Sequence, residues 1–90
     1  MEMTLYKLRD ICDSKRIDST FIQNLHHNNL ITITIIETEE FINESDLANL
    51  ERYSNWYYEL ELNLQGIEIV SELLSKISLL QEEIRVLKSK

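Results

Sequence analysis

The sequence predicts a mainly α-helical domain with one short β-hairpin and a long C-terminal helix. Three observations carry this expectation. Apolar residues recur at helical spacing in the first third of the chain. One β-branched run, Ile31-Thr32-Ile33-Thr34-Ile35-Ile36, nearly alternates and breaks that period. The last 28 residues, 63–90, carry a heptad stripe.

Ninety residues with 43% apolar content allow one domain and exclude a disordered chain. A chain of this size buries only about 60–65% of its unfolded surface, so association with another chain is expected. One Gly and no Pro leave little punctuation, so breaks are read from polar clusters. A single Cys excludes an internal disulfide framework and fits a reducing, cytoplasmic setting. No apolar run approaches the roughly 18 residues of a membrane span, and the N-terminus lacks a signal-peptide core.

Leu8, Ile11 and Cys12 place a first short helix that ends near Asp13-Ser14-Lys15. Asp18 or Ser19 caps a second, with Phe21, Ile22 and Leu25 on its inner face and Gln23, Asn24, His27 and Asn28 outside. Asn28-Asn29 suits its C-terminal stop. The strand Ile31–Ile36 follows, then a polar tip at Glu37-Thr38-Glu39 and a return strand at Glu40-Phe41-Ile42. Asn43 caps a third helix with Glu44 and Asp46 in its first turn, where the helix dipole favours acids. Leu47, Leu50, Ser54, Tyr57 and Tyr58 form its expected inner face, with Trp56 on the other side as a candidate interface anchor.

Asn63 opens the fourth helix. Val70, Ile77 and Ile84 occupy a, and Leu73, Leu80 and Leu87 occupy d. These six residues are the expected homodimer contacts, a coiled-coil seam widened at its start by Ile67, Ile69 and Leu74. Gly66 in the first turn is expected to allow close packing on the third helix. Residues 1–62 form a winged helix-turn-helix and 63–90 the dimerisation helix of the same unit.

The order and spacing resemble the MerR-type winged helix and, more narrowly, the bacterial chaperone-modulator (CbpM) family. Leu8-Arg9-Asp10-Ile11-Cys12 with Ile17–Ile22 and Leu30-Ile31 matches the opening helices. Phe41–Leu47 is like the return strand of the wing and the helix after it. The most specific stretch is Tyr58-Glu59-Leu60-Glu61-Leu62-Asn63-Leu64-Gln65-Gly66-Ile67, followed by the leucine-rich helix. The resemblance implies a co-chaperone inhibitor that binds the J-domain of a DnaJ-like (CbpA-type) protein and restrains its action on DnaK. The alternative is a MerR-type DNA-binding transcription regulator. Such regulators typically carry Arg-Tyr on the second helix, where this chain has Phe21-Ile22-Gln23-Asn24.

Charge favours the first reading. The chain has 9 Lys and Arg against 16 Asp and Glu, a net charge of −7. From Ile17 to Glu51 there is no Lys or Arg, and the stretch holds Asp18, Glu37, Glu39, Glu40, Glu44, Asp46 and Glu51. A duplex-binding winged helix needs cations there to meet phosphates and guanines. An anionic face instead suits a basic polypeptide such as the J-domain helix that faces DnaK. The candidate partner contacts are Asp10, Asp13, Gln23, His27, Glu37, Glu39, Glu40 and Trp56. No metal, cofactor or catalytic role is expected. His26 and His27 are adjacent and project about 100° apart on a helix, too divergent to chelate alone. Cys12 sits on an apolar face, and no Gly-rich loop or nucleophile–base motif is present.

Overall fold

The structure, a computed structural model, describes residues 4–89. Its elements are β1 (Leu5–Lys7), α1 (Leu8–Lys15), α2 (Ser19–His27), β2 (Thr34–Ile36), β3 (Glu39–Asn43), α3 (Glu44–Glu59) and α4 (Leu64–Lys88). This is the mainly α winged helix-turn-helix that the sequence predicts, with one added strand. β1 joins β3 antiparallel, pairing Tyr6 with Ile42, and β2 pairs with β3 on its other side. Three residues of strand are too few for a period to register, so β1 is set by its partner and not by its own sequence.

The caps fall where side-chain chemistry puts them. The Asp18 carboxylate accepts from Thr20 N–H at 2.9 Å. Asn43 Oδ1 accepts from Asp46 N–H at 2.7 Å, and Asn63 Oδ1 from Gly66 N–H at 2.8 Å. Each satisfies one orphan donor of a helix start, worth about 1 kcal/mol. Helix α1 ends on Arg16 in the left-handed conformation, with φ at 54°.

One core lies between the helices and the inner face of the sheet. Ile22, Leu25, Ile42, Leu50 and Ile67 are fully enclosed, and Leu8, Ile11, Ile17, Phe21, Ile31, Ile33 and Tyr53 complete it. Only Thr34–Ile36 of the expected Ile31–Ile36 strand is strand. Ile31 and Ile33 instead drop into the core from an irregular segment. His26 supports that segment: Ile33 N–H donates to its Nδ1 at 3.2 Å, and the same nitrogen lies 3.3 Å from Ile31 O. The carboxylate of Asp46 accepts from Thr32 N–H at 3.2 Å.

Three expectations for the second half need correction. The inner face of α3 is centred on Leu50 and Tyr53, and Tyr57 and Tyr58 keep 40% and 48% of their surface exposed. Tyr53 can be buried because its hydroxyl finds Ser71 Oγ at 3.4 Å. Trp56 does not project from the opposite side. It is half-buried, packed against the core with its ring 5.7 Å from that of Tyr53. Gly66 does not serve contact with α3. A Cβ there would stand 3.2 Å from Oδ1 of the capping Asn63, so the glycine makes room for its own helix cap.

Of α4, only Ile67 is fully buried, and the helix is exposed from Glu72 onward. Leu73, Ile77, Leu80, Ile84 and Leu87 are each about half or more exposed along this arm.

Candidate partner-binding surface

The outer side of α2 and the wing form one surface because two side chains tie them together. Gln23 Nε2 donates to Glu40 Oε2 at 2.8 Å. Glu40 reaches the helix from β3, on the same sheet face as Ile42. On α2, Thr20, Gln23, Asn24 and His27 follow at i, i+3, i+4 and i+7 and make a continuous polar strip.

The wing closes on a two-residue turn, with Ile36 paired to Glu39. Both turn residues are left-handed: φ is 48° at Glu37 and 68° at Thr38. That is the backbone of a type I′ hairpin, which Asn-Gly favours and a β-branched residue resists. The turn carries Glu37 outward at the tip. The β2 edge is apolar, with Ile35 at 68% exposure.

Between the start of α1 and the wing turn lies a groove of about 190 Å³ lined by Lys7, Arg9, Asp10, Thr38, Glu39 and Glu40. It unites three of the expected contact residues, Asp10, Glu39 and Glu40. It also brings in two cations, Lys7 and Arg9, that the sequence places far from the wing. Lys7 arrives on β1 and pairs with Glu39 at 3.4 Å. Lys15, the cation at the end of α1, pairs with Glu51 at 2.9 Å. Both pairs are partly exposed and worth little in stability, but they offset two of the positive charges that a phosphate backbone would seek.

The remaining expected contacts disperse. Asp13 is exposed on α1, away from this groove, and Trp56 belongs to the core edge. His27 is exposed and joins the α2 strip, while His26 is half-buried with its ring centre 6.0 Å from that of His27. Among the described residues, no three of His, Cys, Asp and Glu converge as metal ligands. Cys12 lies half-buried at the core edge. Burial pushes its thiol above the ordinary value, and the carboxylates of Asp13 and Asp18 push it further. Such a thiol is a poor nucleophile at neutral pH.

The sequence does not place Lys7 and Arg9 beside the wing, where the pairing of β1 with β3 brings them. It also hides the exposed aromatic pair Tyr57–Tyr58, whose helical spacing reads as core. No helix among the described residues is long and apolar enough to cross a membrane.

No curated protein and no solved structure matches the chain. The family model described as "MerR HTH family regulatory protein" matches residues 6–89. That span includes all but the first residue of the sheet, the helix-turn-helix and all of α4, so the chain belongs to the MerR helix-turn-helix regulatory family.

Proposed function

We propose that this protein is a non-catalytic, CbpM-like modulator. In this reading it binds the J-domain of a DnaJ-like co-chaperone through α2 and the wing, and so blocks the J-domain's approach to DnaK. The observation that carries this reading is the charge of the helix and hairpin that would face a ligand. Their outward side holds the amides of Gln23 and Asn24, the His27 ring and the carboxylates of Glu37, Glu39 and Glu40, against two nearby cations, Arg9 and Lys7, of which Lys7 is already paired with Glu39. A surface of that kind attracts a basic helix and steers its encounter. The half-exposed stripe of Leu73, Ile77, Leu80, Ile84 and Leu87, with Val70 at its base, supports a homodimer through α4.

Titration of the purified J-domain into the full chain tests the reading. Association is expected at low salt, with an on-rate that falls as salt screens the two faces. No detectable association at low salt refutes it.

The second reading is a DNA-binding regulator, a role compatible with the family match. Arg9 beside the wing and Arg16 after α1 are its candidate phosphate contacts. Tight, sequence-specific mobility shifts on genomic fragments would reverse the ranking.

A further inference from the structure

Helix α2 begins, and helix α3 ends, beside a groove of about 280 Å³ that the wing does not touch. Phe21, Tyr57 and Tyr58 form an aromatic cluster there. Tyr57 stacks on Phe21 at 4.4 Å between ring centres, and the Tyr57 and Tyr58 rings stand perpendicular with centres 5.0 Å apart. The stacking anchors the pair, yet 40% of Tyr57 and 48% of Tyr58 remain open to solvent. Tyr58 is held in place from a second direction, because Asp18 N–H donates to its hydroxyl at 3.2 Å.

One carboxylate, that of Asp18, lines the groove, and the lining contains no cation. Asp18 uses Oδ1 to cap α2. Its Oδ2 has no hydrogen bond among the described residues and can accept from a ligand. Asn24 and Asn63 add amide groups to the walls. Burial raises the pKa of the nearby Cys12 thiol, and the charges of Asp13 and Asp18 raise it further. Thr20 and Asn24 in this groove belong to the same α2 strip as Gln23 and His27, so the groove is continuous with the candidate partner surface.

A fixed tyrosine ring beside an open carboxylate oxygen and two amides suits a planar cation. From these features we infer that the α2–α3 groove is an arginine-binding subsite for a basic protein partner, with a guanidinium lying on Tyr57 and bonded to Asp18 Oδ2. Arginine fits better than lysine. Its flat, weakly hydrated head can stack on a ring while its donors fork to oxygen acceptors, whereas an ammonium keeps its water. The inference rests on the proposal that the partner is a basic protein, and it names where one side chain of that partner lands.

The test uses the full chain, labelled for NMR, and two helical alanine-based peptides. One carries arginines a turn apart and the other carries lysines at the same places. The arginine peptide is expected to shift the Asp18, Thr20 and Asn24 amides and the Tyr57 ring protons, and to bind about threefold more tightly than its lysine twin. Asp18→Asn, which keeps the cap, and Tyr57→Leu, which keeps apolar cover on Phe21, should each weaken it by about two- to fivefold. Equal shifts from both peptides, shifts confined to the wing, or an Asp18→Asn variant that binds unchanged would each overturn the subsite. The J-domain then separates the two proposals. If it fails to bind while the arginine peptide occupies this groove, the co-chaperone reading falls and the subsite stands. If it binds the wild type and both variants alike, the subsite falls alone.

Discussion

Thr38→Gly should stabilise this protein, although it deletes a side chain and a hydrogen bond. Thr38 sits at φ 68° in the wing turn, directly after Glu37 at φ 48°. A left-handed conformation costs a residue with a Cβ roughly 1–2 kcal/mol, and a branched Cβ lies at the upper end. Glycine removes that cost but loses more backbone entropy on folding, by about 0.5–1 kcal/mol. The bond from Thr38 Oγ1 to Glu37 O is exposed and contributes little. The balance is a gain of about 1 kcal/mol, which for a domain of this size raises Tm by about 4–8 °C. Circular-dichroism melts of Thr38→Gly and Thr38→Val measure it. The valine keeps the branch and loses only the hydroxyl, so it should melt at or slightly below the wild type. If Thr38→Gly melts lower than the wild type, Ile36–Glu39 is not closed by a left-handed pair, and the placement of Glu37 at the tip fails with it. The charge of the wing is untouched by this change, so partner binding should be retained or improved by the stiffer turn.

Other consequences follow from the same structure. Ile77→Asp places a carboxylate in the middle of the proposed α4 seam and should convert a dimer to a monomer by sedimentation, with the melt of the head little changed; an unaltered mass removes the seam. Asn63→Ala should cost about 1 kcal/mol through loss of the bond to Gly66 N–H, read in urea unfolding, whereas Asn63→Asp should keep most of it. Leu50→Ala empties a fully enclosed core position and should cost about 2–5 kcal/mol by the same assay. Cys12 should react with a thiol reagent more slowly in the folded than in the urea-unfolded chain, since burial and the carboxylates of Asp13 and Asp18 raise its pKa. Its linkage has a definite sign. The folded state holds the thiol proton to higher pH than the unfolded chain, so this contribution to stability is complete below the unfolded-state pKa and is lost as pH rises through the folded-state value. Cys12→Ser should flatten that alkaline decline.

The sequence by itself determined the helices and their starts. Asp18, Asn43 and Asn63 cap through their own side chains, and a cap is a local interaction that neighbours in the chain decide. It likewise determined the heptad stripe of α4 and the cation-free span from Ile17 to Glu51, which are properties of spacing and composition. The candidate surface was legible in part. Gln23, His27, Glu37, Glu39 and Glu40 read as outward from periodicity, but their joining did not, because Gln23 meets Glu40 only after the wing folds back on α2.

Tertiary structure alone decided the rest. β1 exists because β3 offers a free edge, and it delivers Lys7 to Glu39 across the sheet. Ile31 and Ile33 left the strand for the core because His26 and Asp46 took over their segment's backbone donors. Tyr53 displaced Tyr57 and Tyr58 from the inner face of α3 because Ser71 on α4 satisfied its hydroxyl. That exchange left an aromatic pair in solvent beside Asp18. Apart from His26, seven residues from Ile33, the deciding partners lie well away in the chain, and no local preference can report an interaction whose other half is supplied by packing.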